Sequence, residues 1–278
     1  MTTVPAPAAR FIHPLAFLGL LVRHRHLILR LAARKIEAQY RGSTLGMLWV
    51  VLQPLILLGV YTFAFSYVLG SRWGPGASAP GDFALYAYSG MLLYGVFSRP
   101  LGEAPGLMVA NQAYLKQLVF PAEVLPWVSV LVALFDFVVG FALWAVLFFV
   151  LHGPASPSWA LLPALVLPLV LFGLASSWLL SSLGVFLRDL AQLVGLATTA
   201  LFFMSPIVYP ASRIPPWLAP YYGANPLVGI LESSKKVLFA GEAPAWQTLA
   251  LVTLGAWLAT WLCHVWFLRT KASFADVL

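Results

Sequence analysis

Residues 37–55, EAQYRGSTLGMLWVVLQPL, mark an abrupt change in the character of the chain. Seven Lys and Arg residues precede residue 47, whereas the stretch that follows has no charged residue for more than twenty positions. Gly42 and Gly46 bracket two hydroxyl residues in this segment; glycine ends a helix at little cost, and a hydroxyl can cap the next helix. The sequence therefore predicts a hinge at which a helix lying along the membrane interface turns into a helix that spans the membrane.

The composition predicts a protein whose solvent is lipid. Of the 278 residues, 61% are hydrophobic and 9% are charged, compared with about 25% charged residues in an ordinary soluble domain. The single Cys263 lies in an apolar run, which gives neither a disulfide framework nor a Cys-based metal site. Residues 1–22 show no small-residue cleavage site of a secretory signal, so we expect them to form a retained cytoplasmic segment.

Six stretches are apolar over the roughly 20 residues that a membrane-spanning helix needs. The segments between them are polar or rich in Gly and Pro. We therefore predict an all-α membrane protein with a six-span transmembrane domain over residues 42–278. The spans are expected at about 47–69, 83–109, 124–151, 159–187, 190–209 and 246–268.

Basic residues give the predicted orientation, because Lys and Arg are enriched in cytoplasmic loops. With an even number of spans both termini lie on one side, which then holds eleven Lys and Arg residues, including Lys116, Arg188, Arg269 and Lys271. The other side holds four, namely Arg72, Arg213, Lys235 and Lys236. Both termini are therefore expected in the cytoplasm.

Residues 23–41 have the pattern of an amphipathic interface helix. At about 100° per residue, a basic face contains Arg23, Arg30, Arg34 and Arg41. The other side contains Ile28, Leu29, Ala32, Ile36 and Tyr40. Such a helix lies with its apolar face toward acyl chains and its basic face toward headgroups or a partner. Two interpretations stay open: simple anchoring by positive charge, or a docking surface for a cytoplasmic subunit.

Three charged residues fall at membrane depth, where charges are expensive and usually paired or functional. Arg99 and Glu103 lie four residues apart on the second span, and Asp136 lies near the middle of the third. Our hypothesis is that Asp136 meets a donor from a neighbouring helix, with Arg99 as the leading candidate. A purely structural pair, or a proton relay through Asp136 and Glu103 in a proton-coupled carrier, are the alternatives.

No motif for catalysis is visible. The chain has no G-x-x-x-x-G-K-[ST] phosphate loop and no H-E-x-x-H sequence, and its five His residues are scattered. We therefore expect no ATP hydrolysis, no bound cofactor or metal and no enzymatic activity from this chain alone. The basic N-terminal region has an apolar counter-face, which favours lipid or protein over nucleic acid as its partner.

Aromatic residues in the first and fifth spans suit an interfacial belt, but they would also offer flat faces and hydroxyls to sugar rings. Gly102 and Gly106 form a G-x-x-x-G pattern that can allow close helix contact.

Several blocks of the chain, in order, resemble permeases of type-2 ABC exporters for polysaccharide and polyol phosphate. The resemblance begins at YRGSTLGMLWVVLQPLILLGVYTFAFSYVL and continues through NQAYLKQLVFPAEVLPWVSVLVALFDFVV, FLRDLAQLVGLATTALFFMSPIVYP, NPLVGILESSKKVL and FADVL. The R-G-S-x-L-G-x-L-W and F-x-R-D-L blocks are more similar to the O-antigen branch than to the capsule branch. The resemblance thus covers nearly the whole chain.

This resemblance implies a subunit of the bacterial inner membrane. Two copies would enclose a channel for a polyprenyl-diphosphate-linked polysaccharide, and each copy would dock one separate nucleotide-binding subunit that holds ATP and Mg²⁺. Residues 23–41 correspond to the interface helix, 111–119 to a cytoplasmic coupling helix and 213–240 to external re-entrant gate helices.

The resemblance also implies roles for individual residues. Those expected in ATPase docking and coupling are Asn111, Gln112, Tyr114, Lys116, Gln117, Arg188 and Asp189. Those expected along the polysaccharide path are Tyr61, Phe65, Phe202 and Tyr209. A teichoic acid or capsule exporter of the same family, a drug exporter, and a polyprenyl-dependent glycosyltransferase are the alternative functions.

Overall fold

The computed structural model describes residues 13–68, 82–115, 120–209 and 214–274. Every regular element in these ranges is helical and none is a strand, which confirms the predicted all-α class. The helices are α1 (Ala16–Arg23), α2 (Arg25–Tyr40), α3 (Trp49–Tyr61), α4 (Asp82–Ala110), α5 (Gln112–Leu115), α6 (Leu125–His152), α7 (Leu162–Gly184), α8 (Leu190–Phe203), α9 (Ala219–Ala224), α10 (Pro226–Lys235) and α11 (Trp246–Thr270). Short 3-10 turns precede α3, α6 and α7 and follow α11, and π turns extend α3 to Val68 and α10 to Ala240.

Three helical stretches are long and apolar enough to cross a membrane: Ala122–His152, Pro157–Gly184 and Trp246–Ser273. The apolar helices Trp49–Ala64 and Leu190–Phe203 are shorter. Helix α4 has 29 residues, but its Tyr, Gly, Ser and Pro residues and its two internal charges dilute its apolar character. The all-α architecture is thus established for the described residues, and the six-span count stays a prediction.

Helices α4 and α7 form the centre of the bundle. Helix α4 packs against α7, α6 and α8, and α7 also packs against α11. A buried tryptophan anchors each of the two apolar clusters: Trp178 donates through Nε1 to the Glu123 carbonyl oxygen at 3.2 Å, and Trp144 donates to the Leu85 carbonyl oxygen at 2.8 Å. Both indoles are fully buried, and these bonds satisfy polar N–H groups that would otherwise be unpaired in an apolar core.

Contacts between loops define two ends of the bundle. At one end, which we call the α2 end, α2 packs on α6, and Lys271 after α11 pairs with Glu123 before α6 at 3.1 Å. At the opposite end, the α10 end, Asp82 at the start of α4 pairs with His152 at the end of α6 at 3.1 Å. There Trp159 Nε1 also donates to the Leu238 carbonyl oxygen at 3.0 Å. Helices α4, α7 and α11 therefore run from the α10 end to the α2 end, and α6 runs in the opposite direction.

Helices α3 and α8 lie at the periphery of the single chain. No residue of α3 is buried, and only Val194 is buried in α8. Large apolar side chains on both helices are exposed, among them Val60, Leu193 and Leu196. In a membrane protein such side chains contact lipid or another subunit rather than water.

The N-terminal helix differs from the prediction for residues 23–41. It is interrupted at His24, so Arg23 ends α1, and it stops at Tyr40, so Arg41 lies beyond α2 in extended backbone. Part of its apolar face packs on protein rather than on lipid, because Ile28 and Ala32 are buried in the core against α6. Leu29, expected on that face, is 57% exposed. The pattern identified an amphipathic helix correctly but assigned part of its apolar face the wrong neighbour.

The predicted glycine hinge is present, but its hydroxyl is used differently. Gly42 and Gly46 have φ values of +84° and +49°, in the left-handed region that favours glycine. Ser43 Oγ accepts a hydrogen bond from Trp49 Nε1 at 2.8 Å, and no side chain caps α3. The Trp49 indole therefore takes the hydroxyl that was expected to cap the helix.

Two further predictions need correction. Helix α8 ends at Phe203 rather than at residue 209, because Pro206 follows and cannot continue a hydrogen-bonded helix. An added Cβ at Gly102 or Gly106 would meet no atom within 4 Å. Among the residues that the structure describes, the G-x-x-x-G pattern is therefore not a site of close helix contact.

Candidate functional site

Arg99 on α4 is the centre of a network of charged side chains. Its Nε donates to Glu103 Oε1 at 3.1 Å, its Nη2 donates to Gln39 Oε1 at 2.9 Å, and its Nη1 contacts Asp136 Oδ2 on α6. The contact that the sequence predicted between Arg99 and Asp136 is present, and Arg99 also pairs with Glu103 four residues further along α4. What these contacts do in function stays a prediction.

Helix α2 supplies a second cation to this network. Lys35 Nζ pairs with Glu103 Oε2 at 2.6 Å and donates to Ser129 Oγ on α6 at 3.2 Å. Sequence reasoning missed Lys35 and Gln39 as members of a site. The signal was nonetheless available, because their spacing from Ile28 and Ala32 along α2 places all four residues on one face.

The network is electrically balanced. It contains two cations, Lys35 and Arg99, and two anions, Glu103 and Asp136, so its formal charge is zero. The four side chains keep between 23% and 36% of their surface exposed. Pairing lowers the free-energy penalty of taking charges out of water, and four groups from α2, α4 and α6 thereby join three helices.

A half-enclosed cavity of about 350 Å³ lies beside the network, between α3, α4 and α6. Arg99 and Asp136 lie in its wall. Its other polar or aromatic lining residues include Gln39, Gln53, Tyr88 and Phe137. The cavity therefore offers both hydrogen-bonding groups and flat apolar surface to a ligand.

A second hollow, of about 580 Å³, lies at the α2 end between α2, α4, α5 and α6. Here Arg34 Nη1 donates to the Tyr114 hydroxyl, and its guanidinium lies 6.0 Å from the centre of the Tyr114 ring. Tyr114 stacks on Phe120 at 5.1 Å between ring centroids, and Asn111 also lines the hollow. The structure thus brings the interface helix and the segment predicted to be a coupling helix together.

The other residues predicted for docking that the structure describes do not line that hollow. Arg23, Arg30 and Arg41 are exposed. Arg188 and Asp189 are exposed in the turn between α7 and α8, and none of the hydrogen bonds or ion pairs of the described residues links them to Tyr114. Within the predicted coupling helix, residues 112–115 are helical; Gln112 has an interaction partner, and Lys116 and Gln117 lie outside the described residues.

The predicted path residues have different environments. Phe202 on α8 is half-buried and packs edge-on against Tyr94 of α4 at 5.6 Å, while its neighbour Phe203 is 62% exposed. Tyr209 donates its hydroxyl to the Phe203 carbonyl oxygen. Tyr61 is half-buried at the end of α3, and the side chain of Phe65 lies outside the described part. Their role along a path stays a prediction.

Sequence reasoning also missed a buried lysine at the α10 end. Lys235 at the end of α10 is 4% exposed. Its Nζ donates to the Pro206 carbonyl oxygen, lies 4.2 Å from the centre of the Tyr86 ring and is 3.8 Å from Glu232. Lys235 therefore joins α10 to α4 and to the segment that follows α8.

Comparison with known proteins identifies the family. The chain matches the family described as ABC-2 type transporter over residues 26–239. It is 29% identical to the O-antigen export system permease protein RfbA of Myxococcus xanthus, over 92% of this chain and 96% of that protein. It is 25% identical to RfbA of Klebsiella pneumoniae over 91% of this chain and 95% of that protein. It is also 25% identical to the polysialic acid transport protein KpsM of Escherichia coli, over 80% and 85% respectively. Since the family match spans well over half of its length, this chain belongs to the ABC-2 type transporter family.

Proposed function

We propose that this chain is the membrane subunit of an ATP-driven exporter of polysaccharide. Its cargo would be an O-antigen-like glycan on a polyprenyl-diphosphate carrier, moved from the cytoplasm to the periplasm across the bacterial inner membrane. The observation that carries the proposal is the similarity to O-antigen export permeases along more than nine-tenths of the chain. A polar polymer cannot cross hydrocarbon unaided, so such a cargo requires a protein-lined path.

The α2 end is the surface proposed for the ATPase partner, and it is taken to face the cytoplasm. This orientation agrees with the excess of Lys and Arg in the segments assigned to that side. The hollow beside Arg34 and Tyr114 opens there between α2 and α5. A nucleotide-binding subunit seated on these helices would move them when ATP closes its dimer.

The ion network would carry this motion into the bundle. Lys35 on α2 holds Glu103 of α4, and Arg99 of α4 holds Asp136 of α6. A displacement of α2 would therefore pull on two long helices at once. Such a displacement drives transport only if the ATP-bound and ATP-free states differ in these contacts.

A second copy of this chain is proposed to complete the path. The exposed apolar side chains of α3 and α8 would lie against the partner copy, with Tyr61, Phe65, Phe202 and Tyr209 along the interior. Short helices α9 and α10 would serve as the external gate. One copy would use one ATPase subunit, so that the full exporter has two of each.

The test is reconstitution with a nucleotide-binding ATPase from the same cells, and any ATPase gene that adjoins the gene of this chain supplies the first candidate. Both proteins are co-expressed, purified together and placed in liposomes, and ATP hydrolysis is measured with and without polyprenyl-diphosphate-linked glycan from the same cells. We expect co-purification and stimulation of hydrolysis by the glycan. Glycan movement without any ATPase, or an ATPase complex indifferent to lipid-linked glycan, would contradict the proposal.

A capsule polymer is the second candidate cargo, favoured by the similarity to a polysialic acid transport protein. Comparing stimulation by a neutral lipid-linked glycan with stimulation by an acidic one separates the two cargoes.

A further inference from the structure

The cavity between α3, α4 and α6 has no assigned role. Its volume of about 350 Å³ is near the lower limit of the roughly 300–1,000 Å³ typical of small-molecule sites. It lies within one chain and uses side chains of four helices, α2, α3, α4 and α6. A small unit of a larger molecule, rather than a long segment, matches this volume.

The charges around the cavity favour an uncharged ligand. Arg99 is held by two carboxylates, Glu103 and Asp136, and Lys35, paired with Glu103, supplies the second positive charge that balances the two anions. An incoming phosphate would gain attraction from Arg99 but would be repelled by Asp136 in the same wall. A neutral ligand meets no such penalty.

Hydrogen bonding favours a ligand that both donates and accepts. A guanidinium carries five N–H donors, and Arg99 uses three of its nitrogens, each toward one partner. Donors therefore remain for a ligand, while a carboxylate such as that of Asp136 has capacity for several hydrogen bonds. The amide of Gln53, from α3, lies in the wall that completes the cavity.

The remaining wall is apolar and partly aromatic. Tyr88 and Phe137 line it together with aliphatic residues of α3 and α4. The faces of aromatic rings pack well against the C–H groups of a ligand, while hydroxyl groups at the rim of that ligand form hydrogen bonds with the polar side chains of the cavity. One ligand class combines C–H faces with hydroxyls that donate and accept and carries no charge: the neutral sugar.

We propose that this cavity binds one uncharged monosaccharide unit of the glycan, held by Arg99 and Asp136. This inference rests on the proposed function, since it names the part of the cargo that one protomer recognises. Lipid-linked pyrophosphate or a phospholipid headgroup would be disfavoured at this position for the electrostatic reason given above.

Site-directed labelling tests the proposal in the complex of this chain with its ATPase. The single Cys263 is replaced by Ala, and Val139, which lines the cavity and is half-buried, becomes the reporter as Val139→Cys. The matched control is Val146→Cys on the same helix, which is 59% exposed and does not line the cavity. The rate of reaction with a small maleimide is measured with maltotriose, mannotriose and galactotriose, with inorganic pyrophosphate, and with phosphatidylglycerol vesicles.

At least one neutral trisaccharide is expected to slow the labelling of Val139→Cys. By mass action the rate falls about fourfold when the sugar concentration is three times its dissociation constant. Labelling of Val146→Cys should not change. Protection by pyrophosphate or by the vesicles instead of by sugar, or no protection by any of the three sugars, would overturn the proposal.

A charge variant at Asp136 adds a second measurement, the choice between sugar and pyrophosphate as the protecting ligand. This choice would not change if Asp136 had only a structural role. Asp136→Asn removes one anion and leaves the cavity cationic, so protection by neutral sugar should weaken and protection by pyrophosphate should appear. Unchanged selectivity would contradict the electrostatic argument. A complex that hydrolyses ATP in response to glycan but shows no protection disproves the cavity site alone. If sugar protects Val139→Cys but no ATPase is found to bind this chain, the proposed function is disproved and the cavity site is not.

Discussion

Gly184 of α7 lies against the backbone carbonyl of Pro105 of α4, so closely that an added Cβ would overlap it. A backbone group cannot rotate away as a side chain can, so the two central helices would have to separate. We expect Gly184→Ala to destabilise the protein by about 1–3 kcal/mol, the usual effect of overpacking. The measurement is the thermal unfolding midpoint in detergent.

The matched control for this variant is Gly195→Ala on α8. An added Cβ at Gly195 meets no atom of the described residues within 4 Å, and alanine favours helix over glycine. Its midpoint should stay equal or rise. Equal midpoints for the two variants would show that the α4–α7 contact is looser than described here.

The ion network predicts that removing one charge of a pair destabilises the protein more than removing both charges. Arg99→Met leaves Asp136 without its partner, whereas Arg99→Met with Asp136→Leu removes both charges. Breaking a fully buried pair costs about 3–5 kcal/mol; we expect less here, because the Asp136 side chain is 36% exposed. Unfolding in detergent of the single and double variants measures the difference. A double variant less stable than the single one would refute this prediction.

Tyr114 offers a test of coupling. Tyr114→Phe keeps the ring that stacks on Phe120 and faces Arg34, while Tyr114→Ala removes it. If α5 transmits motion from the ATPase, the alanine variant should hydrolyse ATP without moving glycan, and the phenylalanine variant should stay close to wild type. Hydrolysis and export are measured in the same liposomes. Full export by Tyr114→Ala would exclude this contact from coupling.

Lys235 is expected to hold α10 against α4 and against the segment that follows α8. Lys235→Met loses the charge-assisted bond to the Pro206 carbonyl and the attraction to the Tyr86 ring, contributions of about 1.5–3 and 0.5–2 kcal/mol. Hydrogen exchange in residues 226–240 should become faster, while exchange in α2 stays unchanged. Tyr86→Phe retains the ring and serves as the control. Unchanged exchange in α10 would indicate that Lys235 does not hold this helix.

The sequence predicted the helices and one important contact, but not the partners that folding creates. Residues 83–109 and 124–151 were expected to be helical because apolar residues dominate them, and the Arg99–Asp136 pair followed from the high free energy of isolated charge in a membrane. The pair between Lys35 and Glu103 joins residues 68 positions apart. No local pattern contains that information.

Other differences arose where a local signal competed with the apolar pattern. The end of α8 could have been predicted from Pro206, which lies inside the stretch assigned to the fifth span. The interface helix was assigned to lipid because an amphipathic pattern has the same period whether its apolar face meets acyl chains or protein. Ile28 and Ala32 face protein rather than lipid. This becomes evident only when α6 is placed beside α2.

Equal numbers of cations and anions at Lys35, Arg99, Glu103 and Asp136 have an electrical consequence. A single unpaired charge that crosses the membrane field gains or loses about 2.3 kcal/mol per 100 mV. A rigid shift of these four groups along the membrane normal carries no net charge through that field. In the proposed exporter, the resting voltage of the cell would therefore neither assist nor oppose such a shift, and the timing of the movement would depend on nucleotide and cargo.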